Sequence, residues 1–236
     1  MKRFYDKKEL YFALIWIGVY VVLLSFGDNI SASVGIKSIA TLPIAFLLCF
    51  GLFMFLKNNG LLNQYGLKKP RIESKKMLYY VPLILLLATN LLYGVGIYYS
   101  ILEIILYILT MLCVGFLEEI IFRGFLFKKL VKESKNMAVV VTTITFGIGH
   151  ILNLFNGAEL VPTLLQICYA MAGGYLFVMV LIKSKSLWPC IITHSLLNSL
   201  SIFSIGSGIV YTYLVPVLLF VISLSYALYV RKIKVR

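Results

Sequence analysis

ILEIILYILTMLCVGFLEEIIFRGFLF, residues 101–127, is an apolar run broken by Glu103 near its start and by Glu118, Glu119 and Arg123 in its second half. It is longer than the roughly 20 residues a spanning helix needs. Ionisable side chains inside a membrane-spanning segment are costly, so they mark a functional site by default. Glu118 and Glu119 sit about 100° apart around an α-helix, which predicts that they do not face the same partner. Arg123 lies four residues beyond Glu119, in the favourable order for an ion pair. The spacing therefore assigns Arg123 to Glu119 and leaves Glu118 pointing into a cavity, where a carboxylate in low dielectric suits general acid–base work.

Similar apolar runs surround this one, at about 10–26, 39–56, 77–97, 137–155, 160–182, 188–204 and 209–230. A hydrophobic content of 61%, a charged content of 13% and a mean hydropathy of +0.97 exclude an ordinary soluble domain. The expected fold is all-α: one polytopic membrane domain over 1–236, a bundle of about eight transmembrane helices. Ser31-Ala32-Ser33 is a weak imitation of a signal-peptide cleavage site, and the apolar run before it is longer than a usual signal sequence, so it is read as the first span. Cys49, Cys113, Cys168 and Cys190 stand singly in apolar runs, as buried free thiols do.

The net charge of +13 is distributed as topology requires. Basic residues gather at the N-terminus (Lys2, Arg3, Lys7, Lys8), in the connection 57–76, between Lys128 and Lys135, at Lys183 and Lys185, and at the C-terminus (Arg231, Lys232, Lys234, Arg236). The alternate connections carry only Lys37. That is the positive-inside pattern of an even number of spans with both termini in the cytoplasm. The partners it implies are anionic lipid and the bilayer, not nucleic acid. Counted from Lys128, Glu118 lies about 15 Å into the membrane, and the site is expected in the cytoplasmic half, facing the cytoplasm.

The two histidines of the chain each have a companion four residues away, on the same helix face: Phe146 with His150, and His194 with Asn198. Gly147 and Gly149 leave space beside the first pair, and Trp188-Pro189 opens the run carrying the second. Ala170-x-x-x-Gly174 reads as a close helix contact. Each pair alone is ordinary interhelical hydrogen bonding. Together with Glu118 they supply a base, two imidazoles and an amide.

Glu-Glu-Ile-Ile-Phe-Arg-Gly (118–124), Phe-Gly-Ile-Gly-His (146–150) and Ser-Leu-Trp-Pro-x-x-x-x-His-x-x-x-Asn (186–198), in this order, resemble the CPBP intramembrane proteases, the CAAX prenyl endopeptidases and Abi-type bacteriocin-processing and immunity proteins. The resemblance covers about 77–204, the family-like catalytic core. It implies a peptidase in which Glu118, helped by His150, activates a water while His194 and Asn198 stabilise the oxyanion. Glu119, Arg123 and Phe146 would support the site. The family is often described as metalloproteases, and Glu118, His150 and His194 would be the zinc ligands if a metal took part. The absence of H-E-x-x-H favours metal-free catalysis.

The substrate this implies is a small membrane-associated peptide or precursor, cleaved in a prokaryotic cell membrane. Two other classes compete. A non-catalytic bacteriocin-immunity or scaffold protein would need none of Glu118, His150, His194 and Asn198. A transporter would show paired repeats or broken helices, and neither stands out.

Overall fold

Apolar length sorts the helices of this chain into two kinds. The computed structural model describes residues 1–92, 94–155, 157–205 and 208–234; Arg236, counted above among the C-terminal basic residues, lies outside them. A short α1 (Lys2–Lys7) leads into α2 (Glu9–Val34), followed by α3 (Thr41–Asn58), α4 (Val81–Thr89) and α5 (Ile101–Glu118). The chain then continues as a π-helix over Glu119–Leu126 and as α6 (Phe127–Leu130). It goes on through α7 (Lys135–Gly149), α8 (Leu160–Ser184), α9 (Trp188–Leu200) and α10 (Gly208–Lys232). No β-strand forms among the described residues; Val95 and Ser204 share one isolated bridge.

The all-α polytopic expectation holds. Among the described residues six helices are long and apolar enough to cross a membrane: Glu9–Val34, Thr41–Asn58, Ile101–Leu130, Lys135–Leu154, Leu160–Ser184 and Tyr211–Lys232. The runs at 77–97 and 188–204 fold into shorter elements. In the first, a 3-10 turn carries Leu78, Tyr79 and Tyr80 at positive φ. It hands over to α4, whose 9 residues reach only about 14 Å. In the second, α9 has 13 residues and reaches about 20 Å. α4 packs on α9 and α10, and α9 on α5, while Ile84, Leu85 and Ile192 stay exposed on their outer faces. Each segment nevertheless carries the chain from the basic end of the bundle to the opposite end, the first from 57–76 to 94–100 and the second from Leu187 to Ser201.

Close approaches between helices occur at glycines. A Cβ on Gly27 would stand 2.9 Å from the Thr41 Cα, which lets α2 and α3 fold back tightly. Ser31 fastens that hairpin by accepting from the Thr41 amide at 3.3 Å, and Asp28 accepts from the Thr41 hydroxyl at 2.7 Å; α2 runs unbroken through Ser31-Ala32-Ser33. A Cβ on Gly147 would meet the Ile167 carbonyl oxygen at 3.0 Å, bringing α7 against α8. The four cysteines are free thiols, but only Cys190 is buried; Cys49 and Cys113 are half-buried and Cys168 is exposed.

One end of the bundle gathers nearly all the basic residues. There Lys132 pairs with Glu9, Tyr229 donates to the Lys76 carbonyl at 3.1 Å, and the Arg71 amide donates to the Ser184 carbonyl at 2.8 Å. The 57–76 connection is pinned across this end, with Tyr65 buried and the Leu187 amide donating to the Gly66 carbonyl at 2.8 Å. At the opposite end lie the α2–α3 turn and the 94–100 segment, where Lys37 stacks over Tyr99 and Tyr107 and its amide donates to Glu103.

Candidate functional site: a carboxylate–imidazole cluster inside the bundle

Glycine decides where the site forms. Gly115 lies three residues before Glu118, and a Cβ there would stand 2.8 Å from the Ser195 amide nitrogen and 2.9 Å from its Cα. Without a side chain, α5 and α9 touch backbone to backbone. This contact sets His194, the neighbour of Ser195, beside both glutamates. Its Nδ1 lies 2.9 Å from Oε1 of Glu119, and its Nε2 lies 3.5 Å from Oε2 of Glu118.

The two carboxylates therefore do share a partner, against the expectation from α-helical spacing. Two features explain the correction. From Glu119 onward the backbone is π-helical, so the 100° step no longer applies. The imidazole also presents two nitrogens on different edges, and each glutamate takes one. Single-turn π-helices inside α-helices occur frequently at functional sites.

The predicted ion pair is present. Arg123 Nη1 lies 3.1 Å from Oε1 of Glu119, and both side chains are fully buried. The remaining Arg123 nitrogens, Nε and Nη2, have no hydrogen-bond partner among the described residues. Instead the guanidinium lies 3.9 Å from the centroid of Phe146, with Phe177 at 5.7 Å. Such cation–π contacts strengthen when desolvated. Gly174 makes the room, since a Cβ there would crowd both Arg123 Nη2 and Phe146 at 3.3 Å. The Ala170-x-x-x-Gly174 stretch thus serves the site as well as packing.

Phe146 ties the three motifs together. Its ring meets His150 edge-on at 5.7 Å, His194 at 5.8 Å and Phe122 at 5.3 Å between centroids. His150 stands where α7 tightens into a 3-10 turn over His150–Leu154. Glu118, His150, His194 and Asn198 all line one cavity of about 500 Å³. Glu118 keeps 12% of its side chain exposed to it, whereas Glu119 keeps none. The polar groups face a space large enough for a peptide segment and water.

One partner had no signal in the sequence. The Tyr20 hydroxyl, from the first span, donates to Oε1 of Glu118. Glu118 is thus held between Tyr20 and His194, and the first helix contributes directly to the site.

The donors do not fit the zinc shell considered above. Among the described residues no three His, Cys, Asp or Glu side chains converge on one point as a metal site would require. What the arrangement offers is a carboxylate steadied by a phenol, an imidazole locked by a second carboxylate, a further imidazole and an amide.

Residues 100–200 match the family model described as type II CAAX prenyl endopeptidase Rce1-like. No curated protein and no solved structure matches the chain. The matched segment starts at the capping residue of α5, Ser100, and ends with the last residue of α9, Leu200. It contains every motif residue that lines the cavity. Over residues 100–200 the chain is therefore similar to the Rce1-like, CAAX-type protease family of CPBP proteins.

Proposed function

We propose that the chain, as one membrane domain, is an intramembrane endopeptidase that cleaves a small membrane-associated peptide or precursor. The observation that carries this reading is the bridging of Glu118 and Glu119 by His194 inside a cavity that His150 and Asn198 also line. A scaffold has no use for a carboxylate that is desolvated yet open to a cavity, and burying such groups is costly.

In the proposed mechanism Glu118 accepts a proton from a water in the cavity, with His150 on the opposite wall helping to orient and deprotonate it. The hydroxide attacks the scissile carbonyl. The developing oxyanion is met by Nε2–H of His194 and the side-chain amide of Asn198; such donors contribute roughly 3–4 kcal/mol each in acyl-transfer sites. Glu118 then returns the proton to the leaving amine. Glu119 accepts Nδ1–H of His194 and fixes the ring, Arg123 holds Glu119, and Phe146 supports Arg123 and both imidazoles. Tyr20 is a positioning residue that keeps the Glu118 carboxylate aimed at the water.

The basic end of the bundle lies in the cytoplasm of a prokaryotic cell in this reading, with both termini on that side. The test is hydrolysis in a bilayer. Purified protein in proteoliposomes is offered membrane-anchored peptides, and products are read by mass spectrometry. The wild type is expected to give discrete cleavage products that vesicles with Glu118→Gln do not. Failure of the wild type to cut any membrane-anchored peptide, or identical products from both, would remove the peptidase reading.

A further inference from the structure

The cavity is closed toward the basic end. From Glu119 to Phe127 every residue is buried, and the layer beyond is aromatic. Tyr5, Phe12, Phe55, Tyr65 and Phe125 interlock there with ring centroids 5.0–6.5 Å apart, and the Tyr5 and Tyr65 hydroxyls hydrogen-bond to each other. The pinned 57–76 connection lies across the same end. No lysine or arginine is among the described residues that line the cavity.

Toward the opposite end the cavity is lined by polar side chains, among them Ser25, Asp28, Asn90, Gln166 and Ser201. Its lining climbs α2 from Tyr20 through Ser25 to Asp28, and climbs α5 from Glu118 to Tyr107, only six residues from the first residue of that helix. Gln166, near the start of α8, and Ser201, just past the end of α9, complete that rim. Asp28 and Ser201 are exposed. At 1.5 Å per residue the lining rises about 12 Å along α2 and about 17 Å along α5 above the carboxylate cluster. Alongside, α2 packs on α3 and the π-helical stretch but makes no extensive interface with α7, and both helices contribute to the cavity wall.

We infer that substrate reaches the site from the side of the membrane opposite the basic end, so the protein cuts polypeptide segments presented at the extracytoplasmic face or in its leaflet. This departs from the cytoplasm-facing site expected from the depth of Glu118 alone. Depth along α5 locates the cluster, but which side opens is decided by the aromatic layer and the polar rim. The substrate in this inference rests on the peptidase reading above; the direction of access does not.

The test uses the full-length protein with Cys49, Cys113, Cys168 and Cys190 replaced by serine, and one cysteine returned at a time. Ser25→Cys and Ser201→Cys are near-isosteric reporters on the cavity wall. Lys37→Cys and Lys69→Cys report the two ends. A charged, membrane-impermeant methanethiosulfonate is applied to intact cells and to inverted vesicles. Ser25→Cys and Ser201→Cys are expected to react together with Lys37→Cys from outside the cell, while Lys69→Cys reacts only in inverted vesicles. Reaction of the wall cysteines only with Lys69→Cys would overturn the inference. So would reaction from neither side when the detergent-unfolded protein reacts. Labelling needs no turnover, so an inactive wild type with outside-reactive wall cysteines would sink the peptidase reading and leave the direction of access standing.

Discussion

Gly115→Ala adds one methyl group, yet it should disable the site. The new Cβ would stand 2.2 Å from the Ser195 hydroxyl, 2.8 Å from its amide nitrogen and 2.9 Å from its Cα, against ordinary contacts of 3.4–4 Å. The hydroxyl can rotate away, but the two backbone atoms cannot. α5 and α9 must part by about half an ångström, because packed interiors hold no spare volume. Overpacking of this kind costs about 1–3 kcal/mol, and each kcal/mol lowers Tm by about 2–4 °C in a chain of this size. The shift acts directly on the 3.5 Å gap between His194 and Glu118. A 1 Å misplacement can cost about 10²-fold in rate, so about tenfold is expected here. Thermal unfolding in detergent and peptide turnover in proteoliposomes measure both effects. Ser195→Ala combined with Gly115→Ala should restore neither, since the backbone clash persists. A Gly115→Ala protein with parental Tm and parental turnover would refute the backbone-contact account of how the site is assembled.

Glu119→Ala and Arg123→Ala should each lose about 3–5 kcal/mol, because either leaves its partner charged, buried and unpaired; both variants melting like the parent would contradict this. Tyr20→Phe removes a hydrogen bond to a charged group worth about 1.5–3 kcal/mol, so it should lower Tm by about 3–12 °C and kcat/KM by about 10- to 100-fold. An unchanged kcat/KM would demote Tyr20 to a packing residue. Protein stripped by a strong chelator should retain its turnover; loss of activity restored by one equivalent of zinc would instead assign Glu118 and His194 to a metal.

The motif residues were legible because polar groups in apolar runs stand out and because helical spacing groups them. Phe146 with His150, His194 with Asn198, and Glu119 with Arg123 each lie near one another as the four-residue spacing requires. What spacing could not reveal is where the helix changes type: the π-helical stretch begins at Glu119, and it undoes the rule that adjacent glutamates diverge. Tyr20 was hidden for a different reason. It is one of 16 tyrosines, in a helix with no other polar neighbour in sequence to mark it, and its role comes from a contact 98 residues away. Gly115, by contrast, left a usable signal: a glycine one turn before Glu118 in an otherwise bulky apolar helix marks a close approach. Hydropathy also could not reveal how short α4 and α9 are, because the turns that flank them are as apolar as the helices themselves.

The most direct test of the account is whether Glu118 activates the water. Turnover of a cleaved membrane peptide is compared between the wild type and Glu118→Gln, an isosteric change that keeps the Tyr20 hydroxyl partnered, with Tm measured on both. The account predicts a Glu118→Gln protein that melts like the parent and does not cleave. Cleavage by folded Glu118→Gln at the parental rate would contradict it.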